Sequence, residues 1–306
     1  DKIQKIVDEI IDEKLQLKQN YIFTSIPKYR VLAGRLKKVI KQSMKYIVDS
    51  LKFSKFDVLG HEMEFKSQKE YPPIEIKLEN GKTVEITGKI DRIDIAKTAD
   101  GNYIRIIDYK SSVKDINLNE VKAGLQLQLL TYMDAVCEIE DVLPAGVLYF
   151  NLIDPTIKAN SHLSQEEIEF ELRKQFKMKG LILADIDVAQ MMDTNLEKGS
   201  SNVIPAYVDK DGNLSQKSSS VTRKQFEDLQ KYTKNMLSKI SEEILSGKID
   251  VKPYYKVKGG KTPCEYCSYK SICQFNNGIC KNSYYYIGNI NKDAILEQIA
   301  NKEATD

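Results

Sequence analysis

Asp91 and the pair Asp108 and Lys110 are the residues of this 306-residue chain whose types and spacing most directly suggest catalysis. They lie in Gly88-Lys89-Ile90-Asp91-Arg92 and Ile106-Ile107-Asp108-Tyr109-Lys110, two Ile-rich runs that read as strands. Between them stands Asp100-Gly101, a dipeptide whose tolerance of positive φ suits a tight hairpin. With Asp100 and Gly101 as the two loop residues, Asp91 falls opposite Lys110 and diagonal to Asp108, and the strand period of two puts all three side chains on one face. Two close carboxylates raise each other's pKa unless a cation sits between them. Donors that are all oxygen, with the backbone carbonyl of Tyr109 among them, suit Mg²⁺ or Mn²⁺. Such an ion polarises a phosphodiester and acidifies a water, while Lys110 holds that water or neutralises developing charge. An ion-pair ladder on a sheet surface would give the same pattern without chemistry.

A second constellation is Cys264-x2-Cys267-x5-Cys273, followed by Cys280 after six residues. Thiolates this crowded share a soft metal, and the spacing alone fits a zinc knuckle or an iron-sulfur cluster equally. It does not fit a secreted disulfide framework, so a reducing, cytoplasmic compartment is expected. Cys137, on an apolar helical stretch, reads as a core thiol. With only 2 His and no HExxH, His-rich metal hydrolases are disfavoured, and no Walker motif is present.

These groups need a scaffold, and the periodicities supply one. Ile3, Ile6, Val7, Ile10 and Ile11 recur at helical spacing, as do Leu32, Leu36, Val39, Ile40, Met44 and Ile47. From Val58 to Ile107 the period is two, with turns at Asn80-Gly81 and Asp100-Gly101. A helix from Leu118 to Val136 and a buried strand from Gly146 to Phe150 follow. Ser161 to Lys177 reads as helical, Ser215 to Ser220 as an exposed linker and Thr222 to Leu245 as an amphipathic helix. The order predicts an α/β fold with a central mixed sheet, an antiparallel meander plus a parallel strand, flanked by helices. The expected organisation is N-terminal helices at 1–57, a catalytic core at 58–158, a helical and loop extension at 159–250, and a cysteine region with tail at 251–306.

The charge balance, 46 Lys+Arg against 44 Asp+Glu, announces no polyanionic partner for the chain as a whole. Residues 28–55 are the exception, with nine basic residues against Asp49 alone. That run is either a solvated helix face or a surface that tracks phosphates. No apolar segment is long enough to span a bilayer, so no membrane partner is expected. The first residue is not Met, and the chain is expected to be a piece of something longer.

Asp91, then Asp108-Tyr109-Lys110, then Gln128-Leu129-Leu130-Thr131-Tyr132 resemble the PD-(D/E)XK nuclease superfamily in its RecB-like branch. The shared features are an acidic residue, a D-x-K strand and a downstream Q-x-x-x-Y helix. The resemblance implies a restriction-endonuclease-like fold, metal ligation by Asp91 and Asp108, and catalysis by Lys110. It gives Gln128 and Tyr132 the task of orienting that lysine and the nucleic-acid strand. Gly88 to Asp94, Tyr103 to Ser112, Phe176 to Asp185, Ser218 to Phe226 and Thr262 to Phe275 are also similar to the C-terminal nuclease region of AddB/RexB-type helicase-nuclease subunits. That likeness implies a Mg²⁺-dependent exonuclease acting on single-stranded DNA delivered from unwound duplex ends, with a partner subunit, in double-strand-break processing for recombination. It also implies a [4Fe-4S] cluster held by Cys264, Cys267, Cys273 and one remote N-terminal Cys. This chain has no Cys before residue 91, so the cluster is expected to be incomplete here. The upstream His ligand of many RecB-like enzymes has no match in His61 or His162. The rival expectation is a non-catalytic DNA-binding or assembly module, inert as an isolated fragment. Tyr254 or Tyr255, amid the lysines of 252–261, is the expected base-stacking residue.

Overall fold

The computed structural model describes residues 2–17, 25–158, 162–279 and 283–303. In chain order its elements begin with α1 (Lys2–Leu17), α2 (Pro27–Lys52), β1 (Asp57–Phe65), β2 (Ile74–Lys77) and β3 (Thr83–Ile86). The central stretch holds β4 (Gly88–Thr98), β5 (Gly101–Lys110), α3 (Leu118–Lys122), α4 (Gln128–Glu140) and β6 (Leu143–Asn151). Then come α5 (Gln165–Phe176), β7 (Lys179–Leu183), α6 (Ile186–Met192), β8 (Gly199–Ser200), β9 (Tyr207–Val208) and β10 (Ser220–Val221). The remainder is α7 (Arg223–Leu245), β11 (Tyr254–Lys256), a 3₁₀ turn at Pro263–Glu265, α8 (Lys270–Cys273), β12 (Tyr285–Ile287) and α9 (Lys292–Glu303).

These elements form two units. The first comprises Asp1–Glu62, Ile90–Asp115 and Val142–Val221; the second comprises Met63–Lys89, Ile116–Asp141 and Thr222–Asp306. The principal sheet has the order β1-β4-β5-β6-β7-β10. β4 and β5 are antiparallel, β5 and β6 parallel, β6 and β7 antiparallel, and β7 and β10 parallel, so the sheet is mixed as expected. The near-continuous apolar run of β6, buried from Ala145 to Asn151, is what a strand covered on both faces requires. One face of the sheet carries a run of ring contacts, Tyr109 edge-on to Phe150, then Phe150 on Phe176 and Phe176 on Tyr46 of α2, with centroids 6.0, 6.1 and 4.6 Å apart. β2 and β3 form a hairpin of their own outside this sheet.

Several local expectations change. The β4–β5 turn is Ala99-Asp100, because the register pairs Thr98 with Gly101, and the positive φ falls one residue later, at Gly101 with φ 134°. The helix expected over 118–136 is two helices. Gly124 breaks it at φ 78°, and Gln126 fixes the break by accepting from the Asn117 amide and donating to Glu120. The serine-rich stretch is no linker. Ser218 is buried, its hydroxyl accepts from the Tyr207 amide and donates to the Tyr207 carbonyl, and Ser220 starts an edge strand. β7, inside the region expected to be a helical and loop extension, follows from Leu181-Ile182-Leu183.

The basic run on α2 is largely compensated inside the first unit. Lys37 pairs with Asp8 and Asp12, Lys41 with Asp8, Arg35 with Asp154, Lys45 with Glu169 and Lys52 with Asp49. A face already neutralised in this way has little charge left to track phosphates.

Gly180 has φ 137°, and a Cβ there would run into the Val147 carbonyl of the adjacent strand. Gly180→Ala is expected to lower unfolding free energy by at least about 2–3 kcal/mol in denaturant melts. Gly212→Ala, in an open turn with nothing nearby, should cost only ~1 kcal/mol. Equal costs would contradict the packing of β7 on β6.

Candidate active site

The last regular pair of the β4–β5 ladder is Arg92 with Ile107, so the next residue on each strand is Asp91 and Asp108. Asp91 therefore stands across from Asp108 itself, and the expected facing pair of Asp91 and Lys110 is corrected by two positions. The correction preserves the shared face, since a slip of two leaves the strand period in phase. Asp91 Oδ2 accepts the Tyr109 amide at 2.9 Å, and Lys110 Nζ lies 2.6 Å from Asp108 Oδ2. Asp108 is only 4% exposed. Its Oδ2 has no hydrogen bond of good geometry despite the nearby ammonium, so the contact is an ion pair off the hydrogen-bond line and leaves acceptor capacity unused. Burial pushes the Asp108 carboxyl above its usual range; Lys110 pulls it back and the Asp91 charge adds to the rise.

The end of β5 is clamped from β6. The Leu152 amide donates to the Lys110 carbonyl at 2.7 Å, and the buried Asn151 side chain accepts the Lys114 amide and donates to the Lys114 carbonyl, at 2.8 and 3.2 Å. Lys110 also lies over the Tyr149 ring, 5.8 Å from its centre. On the opposite face of the same two strands is a buried charged network that sequence reasoning missed. Asp94 accepts from Arg92 twice at 2.6 Å and from Arg105 Nε at 2.8 Å, while Arg92 also reaches the Tyr109 hydroxyl at 3.3 Å. Arg105 is fully buried beneath Phe56, 4.9 Å from the ring centre, and burial holds its pKa down against the pull of Asp94. The signal was available: Asp94 and Arg105 are cross-strand partners, and two such groups in Ile-rich strands must pair.

Gln128 and Tyr132 lie in the second unit, at the start of α4. They meet as the i,i+4 spacing requires, with Gln128 Nε2 donating to the Tyr132 hydroxyl at 3.4 Å. The same oxygen accepts the Lys89 amide at 3.2 Å, and it sits where Gly88 leaves room that any Cβ would fill. The Tyr132 ring stacks on Phe65, centroids 5.8 Å apart, so the residue is both packed and polar-tipped.

Cys264 is half-buried, Cys267 and Cys273 are exposed, and Cys280 lies outside the described residues. Cys137 is half-buried, contacts Met133 sulfur at 3.7 Å, and has its thiol pushed up to about 12, chiefly by burial. It is inert by that measure. Tyr255 is held in a cluster with Tyr284 and Tyr286 at 5.2 and 5.7 Å.

Among the described residues no three His, Cys, Asp or Glu side chains gather closely enough to hold an ion. The described cysteines thus do not assemble a cluster site. The sheet site is different in kind. Two carboxylates, one with a buried unsatisfied oxygen, fit a hard divalent cation that keeps most of its water.

The PD-(D/E)XK nuclease superfamily model matches residues 1–274, and the chain belongs to that superfamily, with its restriction-endonuclease-like fold. Its relatives include an ATP-dependent helicase/deoxyribonuclease subunit of Acetivibrio thermocellus, 41% identical over 97% of this chain, and the like-named protein of Clostridium novyi, 42% identical over 98%. The protein of the same name from Caldanaerobacter subterraneus is 40% identical over 91% of the chain. The chain covers 26%, 26% and 24% of these three proteins, about a quarter of their length.

The raised Asp108 pKa has a sign that can be checked. The folded state holds this proton more tightly than the unfolded state does, so stability falls as pH rises from 3.8 through the folded pKa. Without metal, Asp108→Asn should melt above the parent near pH 7. The gap should close below pH 3.8, where both are neutral. A variant less stable at both pH values would contradict the assignment.

Proposed function

We propose that this chain is a metal-dependent deoxyribonuclease domain that hydrolyses phosphodiester bonds of single-stranded DNA as an exonuclease. The observation that carries the reading is the nearly buried Asp108 facing Asp91, with Lys110 on the same sheet face. The Asp91 and Asp108 carboxylates, with the Tyr109 carbonyl, would hold Mg²⁺ or Mn²⁺. Bound there, such an ion polarises the scissile phosphate and lowers the pKa of a water. Lys110 supplies the positive charge for the attacking water or the developing oxyanion. The Tyr109 amide keeps Asp91 aimed, and the Asn151 clamp fixes the strand end that carries Lys110. Gln128 and Tyr132 keep the orienting role that their motif has in the superfamily.

The names of the relatives support a place as one subunit of a helicase/deoxyribonuclease; the finer reading, duplex ends unwound for recombination in the cytoplasm, rests on the resemblance of the sequence motifs and on the cysteine usage. Among the described residues no helix is long and apolar enough to cross a membrane. Iron-sulfur ligation by Cys264, Cys267 and Cys273 rests on the resemblance to AddB/RexB-type subunits, since spacing alone serves zinc equally, and iron analysis with visible absorbance of the purified chain decides between them. The rival reading, a DNA-binding or assembly module, draws on the site having only two carboxylates.

With Mg²⁺ or Mn²⁺, the parent should degrade single-stranded DNA. Lys110→Ala should lower the rate by about 10²–10³-fold and Asp108→Ala by at least as much, without loss of DNA binding. DNA binding with no metal-dependent cleavage by the parent would favour the module.

A further inference from the structure

Asp108 is in register with Tyr149 on β6, and Tyr149 with Lys179 on β7. In-register neighbours share a face, so Lys179 emerges on the sheet face that carries Asp91, Asp108 and Lys110, two strand spacings or about 10 Å from Asp108. Beside Lys179 opens a cleft of about 260 Å³ whose walls include Lys174, Lys177, Lys179 and Lys217. Asp115, five residues beyond Lys110, lines it as well, so the chain leaving the D-x-K strand forms one side.

Four ammonium groups line the cleft against one carboxylate, Asp115, so the lining keeps an excess of positive charge that a bound anion would offset. Lys174 pairs with Glu171 at 2.6 Å. Lys177 donates to the Ser200 hydroxyl at 2.9 Å, and Lys217 lies over the Tyr207 ring at 4.9 Å. Among the described residues, Lys177, Lys179 and Lys217 have no carboxylate ion pair, in contrast to the basic run of α2. Burial pulls the Lys177 pKa down, the Asp193 charge offsets part of this, and a bound anion would relieve the rest.

We infer that this cleft is a phosphate subsite, in which Lys177 and Lys179 hold the backbone of the same DNA strand whose bond is cut at Asp91 and Asp108. The inference rests on the nuclease reading, and extends it by assigning the path of the strand across β6 to the start of β7. Phosphate contacts of this kind hold the strand in place without reading its sequence.

The test is fluorescence anisotropy of a labelled oligothymidylate bound to the chain in EDTA, where cleavage plays no part. Lys177→Gln/Lys179→Gln should weaken binding roughly ten-fold and make the log–log salt slope shallower by about 1.4, the loss of two single-strand phosphate contacts. Lys177→Arg/Lys179→Arg should restore both, and Lys82→Gln/Lys210→Gln, at exposed turns, should change little. Cleavage with Mg²⁺ should show a raised KM with kcat nearly unchanged. Unchanged affinity and slope in the glutamine double variant would overturn the inference, as would an equal loss in the turn variant. Inorganic phosphate that protects the parent from binding as effectively as the oligonucleotide does would overturn the strand as occupant. Failure of the parent to cleave would remove the nuclease reading and leave the anisotropy result to stand by itself.

Discussion

Asp91 and Asp108 are neighbours on adjacent antiparallel strands, and one of them has almost no water to share its charge with. Left alone, such a pair is unfavourable twice over, through mutual repulsion and through desolvation. Lys110 compensates part of this, yet its geometry leaves an Asp108 oxygen without a hydrogen bond. The sheet therefore holds two carboxylates against one ammonium on this face. On the proposed reading, a hard ion held by the two carboxylates would offset this cost.

Holding that pair requires rigidity on every side, and the sequence supplies it in layers. The Tyr109 amide fixes Asp91. The Asn151 side chain and the Leu152 amide fix the exit of β5, so Lys110 leaves the sheet from a defined point. Behind the strands, Arg92, Asp94 and Arg105 join them through a buried network whose removal piecewise would strand a charge in the core. Arg92 also touches Tyr109 from the rear, which couples the network to the residue that braces Asp91. Polar groups thus lie on both faces of two strands whose buried apolar members are mostly isoleucine.

Much of this was legible in the sequence because it rests on short periods. The helical stripes of α1, α2 and α7, the strands β4, β5 and β6, and the meeting of Gln128 with Tyr132 all follow from spacing alone. The facing pair was misplaced because Asp100-Gly101 is a strong turn signal, whereas the true turn is Ala99-Asp100 with Gly101 taking the positive φ. Only the demand that Asp94 meet Arg105 contained the correction, and that demand depends on knowing both are buried. The serine-rich stretch misled for a similar reason. Serines look like a linker until their hydroxyls are seen to satisfy backbone groups, as Ser218 does for Tyr207. The basic run of α2 could not be judged from one segment, since its partners lie as far away as Asp154 and Glu169.

The central claim is that Asp91 and Asp108 share a divalent cation, and anomalous diffraction from crystals soaked in Mn²⁺ addresses it most directly. The account predicts one strong peak bridging the two carboxylates, with the Lys110 ammonium turned away from Asp108. A peak elsewhere in the molecule, or none at this site with Lys110 still seated on Asp108, would contradict it.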